Sequence, residues 1–339
     1  QSSEATGDAV LSQGLENAAR LAMSDLEGVE IDLRVYDTAG DAAIAQAAAI
    51  AAVNDGAKII LGPLRSGPTN AVGLALAGKG VNVLSFSNNT SIAGGNVFVL
   101  GPTFENSANR LAGFAARNGK TNILTVHAQN VAGEAGLSAI TNALAWNGAG
   151  NAGSVAYEFS QQGVVNAVSE IRDTARATGA DALFLASDTS GALPLFSQLL
   201  PEAGVDPENV QYIGLTRWDI PAQTLDLPGV QGGWFALPDP ALTGQFRDRY
   251  QFAYGASPHP ISGLAYDGIA AIGALVSQGN SDALTTTALT QGAGFKGVNG
   301  VFRLRVDGTN ERGLAVGTIR DKQVVIIDPA PRSFGGTGS

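Results

Sequence analysis

Lys58-Ile59-Ile60-Leu61-Gly62-Pro63-Leu64-Arg65-Ser66-Gly67, followed by a helical pattern from Thr69 to Ala77, reads as strand, tight turn and helix in one short run. A brief apolar stretch bounded by Gly-Pro predicts a buried strand, and the helix after it predicts a crossover to another parallel strand. That next strand is Val81 to Leu84. Upstream, Asp41 to Asn54 reads as an Ala-rich helix with Asp41 as its N-cap. Glu30 to Tyr36 alternates Ile31, Leu33 and Val35 and predicts a further strand. Asp8 to Met23 predicts a helix, with Leu11, Leu15, Ala18, Ala19 and Ala22 on one face. Val97 to Leu100 reads as a strand leading out of this first lobe.

Downstream the alternation repeats. Helices are predicted over Phe104 to Asn118, Gly133 to Trp146, Val164 to Ala175 and Leu193 to Leu200. Between and after them, Asn122 to His127, Val155 to Phe159, Asp181 to Ala186, Val210 to Ile213 and Gly232 to Leu237 predict strands. Asp239-Pro240 opens a helix to about Tyr254, as an N-cap followed by Pro at the first helical position. Ile261, Ala265, Ile269, Ile272 and Val276 mark another helix. Val301 to Ile327 differs: apolar runs separated by Asp307-Gly308 and Asp321-Lys322 predict antiparallel strands.

Strand–helix alternation of this kind predicts α/β architecture, with parallel sheets covered on both faces. A length of 339 residues suits two such lobes, each doubly wound and Rossmann-like. Ligands of these sheets sit beyond the carboxyl ends of the strands. One feature departs from the pattern. The first element reads as a helix, whereas a doubly wound lobe starts with a strand, so a central strand is expected ahead of Gln1. Gln1-Ser2-Ser3 itself reads as a mature or trimmed start, with no signal peptide in view.

Composition narrows the function. The net charge of −10 and a pI near 4.7 disfavour nucleic acid and anionic membrane as partners. With no cysteine, thiolate catalysis, disulfides and cysteine zinc sites are excluded. No apolar run reaches the ~20 residues that span a bilayer. The only histidines, His127 and His259, have no partner at a helical metal spacing, so structural or solvent roles are expected and no metal or cofactor is called for. Gly148 to Gly153 matches G-x-G-x-x-G, but a helix precedes it and a strand follows, the reverse of a dinucleotide fingerprint. It reads as a turn.

The candidate site residues follow predicted strands. Ser66, at the strand-to-helix turn, would need a base to act as a nucleophile; as a carboxylate donor it needs only the amides beside it. Ser85 to Ser91, which includes Ser87, Asn88 and Thr90, is rich in hydroxyls and amides; it suits a polar loop or a set of ligand donors. Arg217-Trp218-Asp219, after Thr216, offers an anion partner, an apolar wall or lid, and a carboxylate to steady the arginine; a surface Arg–Asp pair is the competing reading. Asp188 is expected to cap the helix toward Leu200, with a ligand contact as its second reading.

At this point the chain resembles the type I periplasmic binding proteins, specifically their leucine/isoleucine/valine-binding branch. The carriers are Ile59-Ile60-Leu61-Gly62-Pro63 with Ser66, the strand Val81 to Leu84 with Ser85 to Thr90, and the closing segment from Gly297 to Ile327. The resemblance implies two lobes joined by three hinge crossings, near Leu100, Leu237 and Phe295, with a small polar ligand clamped between them. It assigns residues 1–100 and 238–295 to one lobe, 101–237 and 296–328 to the other, and 329–339 to a flexible tail. It implies that the positions of Ser66 and Thr90 hold a ligand carboxylate and that Asn88 offers a main-chain carbonyl to an ammonium. The second lobe departs from amino-acid binders: Gly214-Leu215-Thr216-Arg217 lacks their glutamate. A neutral or anionic ligand then comes into play. The same segment is similar to a sister branch, the activators of penicillin-binding proteins.

Three functions follow as expectations. The first is a periplasmic solute receptor serving an ABC permease, with a lipid anchor upstream as one variant. The second is an activator in contact with a peptidoglycan synthase. The third, a hydrolase using Ser66, is the weakest, and no catalytic residue is assigned.

Overall fold

The computed structural model of the chain describes residues 3–334. In chain order it forms α1 (Ser3–Ser24), α2 (Ala42–Asn54), β1 (Ile59–Leu61), α3 (Ser66–Leu76), β2 (Asn82–Ser85) and β3 (Val97–Val99). There follow α4 (Phe104–Arg117), β4 (Asn122–Ala128), α5 (Val131–Trp146), β5 (Gly150–Tyr157), α6 (Gln161–Thr178), β6 (Ala182–Ala186), α7 (Ala192–Glu202), β7 (Gln211–Gly214) and β8 (Trp234–Leu237). The remainder is α8 (Pro240–Tyr254), α9 (Gly263–Val276), the single turn α10 (Thr286–Leu289), and strands β9 (Phe295–Gly297), β10 (Gly300–Leu304), β11 (Asn310–Arg312), β12 (Ala315–Arg320) and β13 (Gln323–Asp328).

Contacts divide the described residues into two compact units, the first comprising residues 3–103, 238–313 and 331–334, the second 104–237 and 314–330. The chain passes between the units after Thr103, Leu237, Gly313 and Ala330, where Leu100, Leu237 and Phe295 were the expected crossings. Residues 296–313 stay with the first unit because Phe302 and Leu304 of β10 face the same core as α9, beside Phe295 and Val298. The tail is not uniform either: Phe334 lies under the Arg303 guanidinium, 4.6 Å from its ring centre. Residues 335–339 lie outside the described residues.

In the first unit, β1, β2 and β3 form a parallel sheet in that order. Its residues alternate between two cores, as the pleat requires. Ile59, Leu61, Leu84 and Phe98 face α1 and α9, whereas Ile60, Val83 and Val97 face α2 and α3. The Asp41 cap is present, its carboxylate accepting from Ala43 N at 2.8 Å and Ile44 N at 2.9 Å. So is the Asp239 cap of α8, accepting from Ala241 N at 2.9 Å. A second sheet, β11-β10-β9, is antiparallel. Asp267 of α9 and Arg312 of β11 pair at 3.2 Å with both side chains buried. Arg312 also donates to the Leu100 carbonyl through Nε at 3.1 Å and through its second terminal nitrogen. This tie holds the first and third crossing strands side by side.

One predicted strand does not join a ladder. Glu30 to Tyr36 belongs to neither a helix nor a strand and forms no backbone hydrogen bond among the described residues.

The second unit is a seven-stranded sheet, β13-β12-β8-β7-β6-β4-β5. Strands β4 to β8 run parallel; β12 is antiparallel to both β8 and β13. Leu124, Val126, Leu183 and Leu185 face α6 and α7, while Ile123, Ala182, Phe184 and Ile213 face α4 and α5. Fully burying one such side chain contributes about 1.5–3 kcal/mol. Ser160 caps α6 by accepting from Gly163 N at 3.0 Å, and Gly179, at φ 64°, ends it in the left-handed conformation.

Candidate ligand-binding site

In the first unit the carboxyl ends of β1 and β2 are locked to one another before any ligand is considered. The Ser85 hydroxyl donates to the Pro63 carbonyl at 2.8 Å, meets Thr69 Oγ1 at 2.8 Å, and accepts from Ser87 N at 3.1 Å. Backbone bonds Gly62 N to Leu84 O (2.7 Å) and Phe86 N to Pro63 O (3.0 Å) complete the join. Sequence reasoning treated Ser85 as one polar residue among several; its burial makes it the brace that sets where Ser66 and the Asn88–Thr90 loop stand.

On that brace sits a set of unspent donors. Ser66 is the first residue of α3, and the cap position before it, Arg65, supplies no side-chain bond to the helix end. Ser66 and Gly67 therefore leave their amides free, as the opening residues of a helix do, while Pro68 has none to offer. The Ser66 hydroxyl has no hydrogen-bond partner among the described residues, and neither do the side chains of Asn88 and Thr90. Thr90 opens a short 3-10 turn, Thr90–Ile92, which packs against α3. The Ser66 hydroxyl and two amides at the N-terminus of α3 are suited to a carboxylate, whose charge the helix dipole favours. The Asn88 carbonyl accepts no backbone bond, so it is free for a donor. Ser87 differs from expectation: it is buried, and its oxygen accepts from Asn89 N at 3.1 Å, so it holds the loop.

The second unit's rim, taken by itself, is largely saturated. Asp188 follows β6 and accepts from Ala192 N at 3.0 Å and from Ser190 Oγ at 3.2 Å; Gly191, not Asp188, holds the N-cap position of α7, and the carboxylate reaches the first helical amide from outside it. Thr216 donates to the Ser187 carbonyl at 3.2 Å, and Thr189 to the Ile220 carbonyl at 3.1 Å. Arg217 and Asp219 form a two-pronged pair, with Nε to Oδ1 at 2.9 Å. Tyr157, at the end of β5, is buried in the core, edge-on to Phe196 at 5.1 Å, and burial, reinforced by the nearby Asp188 charge, pushes its hydroxyl up to about 12.

Trp218 corrects the expectation of a wall or lid. It has no exposed surface and belongs to the core under α7, stacked near Phe235 at 6.5 Å. Glycines make the room: a Cβ on Gly214 would stand 2.2 Å from Trp218 Cε2, and one on Gly233 2.3 Å from Cζ3. His127 is buried beside the Ala128 carbonyl at 3.3 Å and Glu134 at 3.6 Å, in the second unit, whereas Ser66 belongs to the first. His259 turns Nδ1 onto its own loop, accepting from Ile261 N at 3.3 Å. Among the described residues no cluster of His, Cys, Asp or Glu could hold a metal ion.

The model of the family described as periplasmic binding protein matches residues 3–323. The chain belongs to that family. No curated protein matches it. Solved structures share its fold at low identity. A putative branched-chain amino acid ABC transporter from Rhodospirillum rubrum aligns at TM-score 0.80 and 19% identity, over 94% of this chain and 96% of that one. An ABC transporter substrate-binding protein from Desulfitobacterium hafniense, in complex with Leu, gives 0.68 and 18%, over 94% and 95%. A solute binding protein of an ABC transporter from Rhodopseudomonas palustris BisB5, in complex with 3,4-dihydroxy benzoic acid, gives 0.63 and 17%, over 96% and 95%. As a periplasmic binding protein, the chain places Ser66 and Thr90 at strand ends of one sheet. The penicillin-binding-protein activator branch gains no support from these matches, and with it a peptidoglycan synthase as partner.

Proposed function

We propose that this chain is a periplasmic solute receptor that binds a small molecule bearing a carboxylate and delivers it to an ABC permease. The observation that carries this is the unspent donor set at Ser66, Gly67 and Thr90, fixed by the Ser85 brace. Hydroxyls and helix amides without internal partners are costly to bury and well matched to an anion. The two liganded relatives support the same choice: leucine and 3,4-dihydroxybenzoic acid share a carboxylate and little else.

An ammonium on the ligand is not required. The first unit's donors address only the carboxylate, and the free Asn88 carbonyl can accept from a donor elsewhere on the ligand, so the reading commits to the carboxylate and not to the remainder. Membership of the family supports the periplasmic location, and no helix among the described residues is long and apolar enough to cross a membrane. The proposed role needs no catalytic group.

Thermal-shift screening tests this. Aliphatic and aromatic carboxylates, α-amino acids and the matching amides would each be added to the purified chain. At a hundred times Kd, a ligand adds about 2.7 kcal/mol of stability by mass action. Shifts with carboxylates and none with the matching amides are expected. Amides that shift the protein as strongly as the acids would overturn the carboxylate reading.

A further inference from the structure

In the first unit, α2 and α3 lie side by side over Ile60, Val83 and Val97 of the sheet. Neither helix carries a charged side chain, in a chain that is 15% charged. On α2, Ala45, Ala49 and Ala52 turn inward. The opposite side consists of Ala43, Ala47 and Ala51, flanked by Ile44 and Ile50, and all five are exposed. On α3, Val72 and Leu76 are buried, while Leu74 points away from them and is 70% exposed. A helix that is apolar all round is ordinarily covered on every side. These two are covered on one side only.

The corners of this face are charged, and their arrangement says what covers it. Asp41 precedes α2 and Asp55 follows it; Arg65 precedes α3, and Lys79 stands just past its end. The amino ends of the two helices lie together, since a Cβ on Gly40 would stand 3.5 Å from Arg65 Nε. Each end of the face therefore has a carboxylate on the α2 side and a cation on the α3 side. A second copy, turned about a two-fold axis running along the helices, lays its α3 on α2 and its α2 on α3. That brings Asp41 to Arg65 of the other copy, and Asp55 to Lys79 of the other copy. Turned about an axis across the helices, the copy would set Asp41 on Asp55 and Arg65 on Lys79, like on like. Arg65 is already shared with Asp8 at 2.8 Å, whereas Lys79 has no ion pair among the described residues, so the Asp55–Lys79 corner is the sharper probe.

We propose that the α2–α3 face is where two copies of this chain meet, the α2 of each lying on the α3 of the other about a two-fold axis along the helices. The patch answers itself, as the interface of a two-fold dimer must. α2 has 13 residues and is about 20 Å long, and two helices abreast are about 20 Å wide, so the face offers about 400 Å² per copy. A standard stable interface takes about 800 Å² from each partner. The dimer is therefore reversible rather than permanent. The inference does not depend on the solute reading.

Sedimentation equilibrium of the purified chain, from about 1 µM to 1 mM, should show monomer passing into dimer as concentration rises. Ala47→Glu, at the centre of the α2 side, should weaken the dimer by about a hundredfold or more, because a charge is then covered without a partner. Leu74→Glu should do the same from α3. Both positions are exposed, so the melting temperature of the monomer should not move. Asp55→Lys and Lys79→Glu each set like charges at one corner and should each weaken the dimer by about tenfold. Asp55→Lys and Lys79→Glu together should return it to near the native strength, which association through some other surface would not do. Three results would overturn the proposal: monomer at every concentration, a dimer of native strength in Ala47→Glu and Leu74→Glu, or a charge-swapped protein no tighter than either single variant.

Discussion

Replacing Arg312 by Met removes the centre of the tie between α9, Leu100 and β11. Three contacts to Arg312 are lost: the bond to Asp267 at 3.2 Å, the bonds to the Leu100 carbonyl, and the placement over Phe302 at 5.2 Å. Breaking a buried pair costs about 3–5 kcal/mol. Asp267 retains Val298 N at 2.8 Å and Asn299 Nδ2 at 3.2 Å, which places the loss near the lower end, about 3 kcal/mol. The pH dependence gives a second signature. Burial already holds the Asp267 carboxyl above its ordinary range despite Arg312, and without Arg312 it is held higher still. An acid raised in the folded state favours folding while protonated; that contribution is lost as pH rises from 3.8 through the folded value. The Arg312→Met destabilisation should therefore be largest at neutral pH and ease in acid. Asp267→Leu combined with Arg312→Met should recover about 2 kcal/mol over the single change, because no unpaired charge remains.

Urea unfolding read by circular dichroism measures these effects. The three tryptophans, Trp146, Trp218 and Trp234, all belong to the second unit, so their fluorescence is an internal reference. A loss under about 1 kcal/mol for Arg312→Met, or a double variant no more stable than the single, would refute the reasoning.

Gly214→Ala forces Trp218 from its slot and should cost about 1–3 kcal/mol or more, seen as a lower urea midpoint in tryptophan fluorescence. Glu311 is raised by burial, but Arg303 and Arg305 outweigh this and hold it below its ordinary range. Its contribution is present above pH 4.5 and lost as pH falls through the lower folded value, so Glu311→Gln should flatten the acid limb of stability. Asp188→Ala frees the α7 amide of Ala192 and should cost about 1 kcal/mol in thermal unfolding, as loss of a cap does.

The alternation of strands and helices was legible because each strand sits between two cores and each helix buries one stripe. What was not legible had three-dimensional causes. The third crossing falls inside an unbroken antiparallel stretch; β10 and β12 have similar alternation, and only the core each faces separates them. Trp218 follows a strand, where loops carry ligands, but the space that buries it is made by Gly214 and by Gly233, nineteen positions on. Glu30–Tyr36 has the pattern of a strand, and pattern cannot report whether a neighbour is present to bond it. At the site, the positions of Ser66 and Thr90 could be read; that Ser87 is spent on its own loop could not, because Asn89 N competes for it only in the folded turn.

The central claim is that Ser66, with the amides that open α3, holds a ligand carboxylate. Isothermal titration of the best-binding acid into the native chain and into Ser66→Ala tests it directly, since the hydroxyl is half-exposed and its loss leaves the fold intact. A hydrogen bond to a charged group contributes about 1.5–3 kcal/mol, so affinity should fall by about ten- to a hundredfold, with no change in the melting temperature of the unliganded protein. Equal affinity in the two proteins would contradict the account.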